Sequence, residues 1–278
     1  LASRFLGTAC ASTDLDLVIA GVERLIVVAP LVIFGLILLA VLGVERPIGQ
    51  PAEQAQSAAD RPAELSFAQA WTVLRASPQV AYFFGVLSLF TFSLFLQEAV
   101  LEPYGGAIFG MDVCATTRLN AIWGVGTLVG IATTGFLLVP RLGPQRTALL
   151  GGVLAGVFVL LMVVAGAVVS EPLFRLALLL FGYAAGVSTN ASLTLMLGLT
   201  SPALAGTFIG VWGLAQAYAR GVATVTGGGL LSLFGGVFGG QDTYGAYASV
   251  FVIQAVGLLL AGLLLLRVDT TLFKQRVQ

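Results

Sequence analysis

Apolar runs of about 20 residues, broken by short clusters of Pro, Gly and charged side chains, dominate this chain. A run of that length covers the ~30 Å hydrocarbon layer of a bilayer at 1.5 Å per residue, so the pattern predicts about seven transmembrane helices. They read as residues 25–44, 78–97, 119–139, 147–169, 173–199, 203–234 and 246–266. Residues 1–24 read as an exoplasmic segment or the end of a preceding span, and residues 25–46 as one helix with its polar exit. Residues 47–77, rich in Gln, Glu, Ala, Ser and Pro, form an aqueous linker. Within it Phe67, Ala70, Trp71 and Leu74 fall at i, i+3, i+4 and i+7, which predicts a short interfacial helix over 66–74. Residues 78–267 then make a six-helix bundle, followed by a tail at 268–278. The opening at Leu1 and the odd number of spans suggest a fragment, one leftover helix plus a complete bundle.

The stretch 97–124, QEAVLEPYGGAIFGMDVCATTRLNAIWG, concentrates the polar chemistry of the chain. Glu98 and Glu102 flank an expected helix end, and Pro103-Tyr104-Gly105-Gly106 predicts a stop and a turn, with Tyr104 and the Gly pair setting it. Residues 98–118 therefore read as a connector between two spans, and the two carboxylates as solvated or paired with Arg118. Shorter connections are predicted at Pro140 to Arg146, at Ser170-Glu171-Pro172, at Ser201-Pro202 and over 235–245.

Composition fixes the class. Hydrophobic residues make up 58% and charged residues 9%, whereas a soluble globule carries about a quarter charged residues, so the chain is expected to be an all-α integral membrane protein. Orientation follows from Lys and Arg. Arg46, Arg61, Arg75, Arg141, Arg146, Arg267, Lys274 and Arg276 share the side of the linker, against Arg4, Arg24, Arg118 and Arg175 on the other, which puts linker and C-terminus in the cytoplasm. With no histidine in the chain, a Ser-His-Asp device is excluded and the commonest general base and metal ligand is missing. Cys10 and Cys114 lack metal-ligand spacing, could form at most one bridge, and read as packing residues. The basic residues are scattered, so no nucleic-acid partner is indicated, and neither a catalytic constellation nor a metal site is visible.

Several residues depart from the apolar background. Arg220 lies in the middle of a long span, where an Arg costs at least about 2.5–3.5 kcal/mol unless it is paired or hydrated. Trp212, Gln216 and Arg220 repeat at i, i+4 and i+8 along one face, and Gly206-x-x-x-Gly210 would admit a close neighbouring helix. Asn190 and Gln254 read as interhelical hydrogen-bonding residues. No Asp or Glu is expected deep within a span. Trp123-Gly124 and Trp212-Gly213 stand near the starts of the second helices of two successive triplets, which suggests an internal repeat.

The pattern Gln97-Glu98-x-x-Leu101-Glu102-Pro103-Tyr104-Gly105-Gly106, with Phe109-Gly110-Met111, Thr116-Thr117-Arg118-Leu119 and Trp123-Gly124, resembles the light-harvesting-complex assembly proteins of the PucC/LhaA family, a branch of the major facilitator superfamily. Gly210-x-Trp212-Gly213-x-Ala215-Gln216-Ala217-x-Ala219-Arg220-Gly221 is similar to that family's penultimate helix. The resemblance implies a major-facilitator-like bundle, the C-terminal half plus the last helix of the N-terminal half. It also implies a factor in the bacterial intracytoplasmic photosynthetic membrane that binds or delivers bacteriochlorophyll, antenna polypeptides or both. Partners would be antenna polypeptides or a light-harvesting/reaction-centre complex within the lipid bilayer. Candidate pigment or partner contacts are Gln97, Glu98, Glu102, Tyr104, Arg118, Trp123, Trp212, Gln216 and Arg220. A chlorin Mg²⁺ would need an oxygen donor, for which Glu98, Gln97 or Gln216 are candidates. The turn 140–146 departs from the facilitator pattern, with Pro140 in the acidic place, which argues against a gating role there. Two other readings are a secondary transporter of a small solute and a passive structural subunit of a photosynthetic complex.

Overall fold

The computed structural model describes residues 26–28, 30–39, 78–199, 205–238, 240 and 243–267. The interfacial helix expected at 66–74, the segment 1–24 and the tail 268–278 lie outside the described residues, as does all of the linker 47–77. The chain divides into two units, Leu1–Glu64 and Leu65–Gln278. In the first, α1 (Ile26–Leu39) is an apolar helix with mostly exposed side chains. The second holds α2 (Pro78–Phe95), α3 (Leu101–Phe109), α4 (Val113–Leu142), α5 (Pro144–Ala167), α6 (Glu171–Leu199), α7 (Ala205–Val237) and α8 (Thr243–Leu265). Among the described residues no strand occurs, and the fold is that of an all-α membrane protein. Val113–Leu142, Pro144–Ala167, Glu171–Gly198 and Thr243–Leu265 are long and apolar enough to cross a membrane, while Ile26–Leu39 and Ala81–Phe95 are shorter apolar helices. α7, at 33 residues, has the length to cross as well.

The packing inside the second unit follows from where the sequence is small. Gly126 and Gly130 of α4 face Gly182 and Gly186 of α6 in a reciprocal crossing. A Cβ at Gly126 or Gly130 would run into the backbone at Leu179 and Tyr183, and one at Gly182 or Gly186 into the carbonyls of Trp123 and Thr127. Two four-residue glycine spacings thus let the backbones touch, as expected where lipid offers no hydrophobic drive between helices. The Thr127 hydroxyl donates across this seam to the Gly182 carbonyl at 3.2 Å. Helix α6 also packs along α5, where Gly151 lies against the Ser188 backbone, and α5 packs along α8. Helix α2 lies against both α8 and α7.

Polar residues tie the apolar seams together. Gln254, fully buried on α8, donates to the Leu94 carbonyl at 3.3 Å, and Asn190 on α6 donates to the Ile131 carbonyl at 3.2 Å. Both are interhelical bonds, as their isolation in apolar runs predicts. The Asn190 bond falls where α4 widens into a π segment, Thr134–Leu138. The Ile131 carbonyl also accepts the Thr134 backbone N–H, so the Asn190 amide adds a second donor at the entry to the π segment.

One expectation fails. Pro103-Tyr104-Gly105-Gly106 does not end a helix: it lies inside α3, with the Tyr104 N–H donating to Val100 and the Leu101 N–H to Gln97. Pro103 occupies the first turn, where its missing N–H would have had no helical acceptor. The chain turns only at Gly110-Met111-Asp112. Gly110 takes φ 66° and caps α3, and the Asp112 carboxylate caps α4 by accepting from the Ala115 N–H at 2.6 Å. Residues 98–109 are therefore part of the bundle and not a connector.

Candidate functional site

The site begins at a break in a helix. Between α2 and α3, residues 96–100 form turns closed by short-range bonds, Glu98 N–H to Phe95 O at 3.0 Å and Val100 N–H to Gln97 O at 2.8 Å. The break lies deep in the bundle: Leu96, Gln97 and Val100 are buried, and the Leu96 carbonyl abuts Gly227 of α7, where no Cβ would fit. Glu98 is the residue of the break that points outward.

Arg220, from the middle of α7, meets it. Its Nε donates to Glu98 Oε2 at 2.9 Å and its Nη2 to Glu98 Oε1, a bidentate pair. Thr224, one turn on, donates to Glu98 Oε2 at 3.0 Å; its single proton can instead serve the Arg220 carbonyl, also at 3.0 Å. The guanidinium lies over the Phe95 ring, with Cζ 4.6 Å from the centroid, within cation–π range. Phe95 in turn meets Trp123 of α4 edge to face at 6.3 Å. One turn before Trp123, Asn120 donates to Glu102 Oε1 at 2.6 Å. Glu102, Asn120, Trp123, Phe95, Arg220, Glu98 and Thr224 thus form one arc from α3 across α4 and α2 to α7. The pair stays open: the side chains of Arg220 and Glu98 are 53% and 34% exposed.

These contacts correct one expectation. Glu98 lies just past the end of α2 and meets Arg220 at the midpoint of α7. Neither Glu98 nor Glu102 pairs with Arg118, which is exposed and makes no hydrogen bond or ion pair among the described residues. The remaining candidates scatter. Tyr104 is fully buried among Phe109, Phe174, Tyr247 and Phe251, with ring centroids 4.9 to 5.5 Å away, and its hydroxyl donates to the Met162 carbonyl at 3.1 Å. Its environment is that of a core anchor. Trp212 packs against the separate cluster around Phe83, Phe84 and Val86, with a buried indole N–H that has no partner among the described residues. Gly206 and Gly210 face open space with nothing near enough to exploit their smallness. Phe95, Asn120 and Thr224 belong to the arc but were not among the expected site residues. Thr224 continues the i+4 series Trp212, Gln216, Arg220, a signal the sequence did carry.

Of the oxygen donors considered for a chlorin Mg²⁺, Glu98 has spent three of its roughly four acceptor positions on Arg220 and Thr224. Gln97 is 5% exposed, with its Oε1 unpartnered among the described residues. Gln216 is half-buried on α7.

A helical integral membrane protein with an ion pair at a broken helix is the class that fold and site define. The family model described as PUCC protein matches residues 6–273, and the chain belongs to that family. It is 32% identical over 165 residues to "Protein PucC" of Rhodovulum sulfidophilum, covering 59% of this chain and 36% of the relative. It is 30% identical over 253 residues to "Bacteriochlorophyll synthase 44.5 kDa chain" of Rhodobacter capsulatus, covering 84% and 56%. With "Protein PucC" of Cereibacter sphaeroides it shares 30% over 207 residues, covering 73% and 45%. The chain thus spans about half the length of the curated relatives it matches. No solved structure matches it.

Proposed function

We propose that the chain is the C-terminal six-helix half, with one preceding helix, of a major-facilitator-like assembly factor for photosynthetic light-harvesting complexes. It binds or delivers bacteriochlorophyll, antenna polypeptides or both, and catalyses no reaction. It resides in the bacterial intracytoplasmic photosynthetic membrane with linker and C-terminus cytoplasmic. The observation that carries this reading is the Glu98–Arg220 pair, which joins the two stretches on which the resemblance rests, Gln97 to Gly124 and Gly210 to Gly221, into one arc. A related name attached to bacteriochlorophyll supports a pigment connection.

The test is an absorption spectrum with polypeptide identification on protein gently solubilised from its native membrane. Near-infrared chlorin bands with co-purifying antenna polypeptides are expected. In parallel, Arg220→Leu should lower antenna levels while the variant still inserts; normal antenna levels would remove the role given to the arc.

One observation favours a second reading, a secondary transporter. A carboxylate at a break in a helix, paired with an Arg from a facing span, is the kind of feature on which transporters build coupling sites. A colourless preparation that takes up protons with a solute after reconstitution would establish it instead.

A further inference from the structure

At the end of the bundle where α4 turns into α5 and α8 terminates, the charged side chains among the described residues are all basic. Arg141, Arg146 and Arg267 are exposed there and make no ion pair among the described residues. None of the four described carboxylates, Glu98, Glu102, Asp112 and Glu171, stands at this end. Two features gather the three arginines. Gly143, at φ 79°, reverses the chain between Arg141 and Arg146. The Gln145 amide donates to the Leu265 carbonyl at 3.2 Å, which holds the start of α5 against the end of α8. Further in, the two helices meet along a seam where Gly156 lies against Leu259 and Gly262 against Leu149. One residue, or about 100°, round from Gln145 and Leu149 stand Arg146 and Leu150. One residue round from Gly262 stands Leu263, with Arg267 four positions on. Because α5 and α8 run antiparallel, that step turns toward the same outer side of the seam on both helices. Arg146, Arg267, Leu150 and Leu263 are all exposed. On each helix, then, an exposed leucine stands about 6 Å, one turn, inward of an exposed arginine.

We propose that the outer groove of the α5–α8 seam is a binding site for one anionic phospholipid, its phosphate held between Arg146 and Arg267 and its acyl chains laid along Leu150 and Leu263. A guanidinium presents a fork of N–H donors that matches phosphate oxygens, so two of them at one height suit a headgroup. The leucines below suit a chain that continues into the hydrocarbon layer, which neither a free phosphate nor an acidic polypeptide possesses. Arg141, across the Gly143 turn, adds to the positive field that draws an anionic headgroup in. Arginines at span ends also orient membrane proteins, but orientation needs only an excess of positive charge and gives no headgroup preference at one seam. The bound lipid bridges the ends of α5 and α8 and so reinforces the bond from Gln145 to Leu265.

The experiment titrates the full-length protein, in a neutral detergent, with dioleoyl phosphatidylglycerol and with dioleoyl phosphatidylcholine, and counts retained lipid by native mass spectrometry. The first phosphatidylglycerol should bind the wild type about tenfold or more tightly than phosphatidylcholine. Arg146→Gln with Arg267→Gln should bring that ratio close to one. Arg175→Gln, which removes a charge at the opposite end of the bundle, should leave it unchanged. Inorganic phosphate should not displace the lipid; displacement at millimolar concentration would show a free-anion site and overturn the lipid assignment. Thermal midpoints give a second readout, because a ligand that binds the folded state stabilises it. Phosphatidylglycerol should raise the midpoint of the wild type more than that of the double variant. Equal binding of the two lipids by the wild type, a preference that survives in the double variant, or a midpoint raised equally in both proteins would overturn the proposal.

Discussion

Glu98 and Arg220 stand 122 positions apart in the chain and close a bidentate ion pair where the broken α2–α3 helix meets the midpoint of α7. Their pairing explains how an Arg is tolerated in the middle of a span: the guanidinium is neutralised, hydrogen-bonded and laid on a ring, so little of the cost of a bare charge in a membrane remains. It also makes each residue hostage to the other.

Removing one partner should cost more than removing both. Arg220→Leu and Glu98→Leu each leave an unpaired charge, and each should lower stability by about 1–3 kcal/mol. The double variant should recover part of the loss. Thermal midpoints of the four proteins in one detergent check this, and a double variant as unstable as the sum of the singles would show that the two residues act independently.

Thr224→Val removes one donor of three from Glu98 and leaves the ion pair in place. A small effect of about 0.6 kcal/mol is expected, typical of interhelical bonds in membranes, with antenna levels close to wild type. The same thermal measurement, set beside Arg220→Leu, separates the pair from its support.

Tyr104 is a packing residue with one polar duty. Tyr104→Phe keeps the five-ring cluster and loses only the bond to Met162, a cost of about 0.5–1.5 kcal/mol. Tyr104→Ala opens a cavity and should cost about 3–5 kcal/mol. Pigment or partner binding by Tyr104→Phe should match wild type; a specific binding defect in that stable variant would place Tyr104 in the recognition surface after all.

The glycines divide into two groups that look alike in sequence. Gly126→Ala and Gly182→Ala put a Cβ into facing backbone and should destabilise by about 1–3 kcal/mol or prevent insertion. Gly206→Ala and Gly210→Ala meet nothing and should be neutral or gain up to about 1 kcal/mol from helix propensity. Detergent melts of the four variants give the comparison, and any defect of Gly206→Ala or Gly210→Ala confined to antenna assembly would mark that face of α7 as a contact surface.

The sequence by itself determined the all-α membrane class and the approximate positions of the long helices, because length and apolarity suffice for both. It singled out Arg220, since a charge inside an apolar run needs no structure to be conspicuous, and it anticipated interhelical bonds for Asn190 and Gln254 for the same reason. Only the tertiary structure decided what Arg220 pairs with, because the partner comes from another helix and no periodicity links positions 98 and 220. Local signals also misled where packing outweighed them. Pro103 and the Gly pair suggest a turn, yet the burial of Tyr104 among four rings draws the segment into the bundle as a helix, and Pro103 is harmless in the first turn. The Gly206 and Gly210 spacing is as good as that of Gly126 and Gly130. Which of the two becomes a close crossing depends on whether a second helix presents its own small residues at the same height, and that is a property of the assembled bundle rather than of either segment.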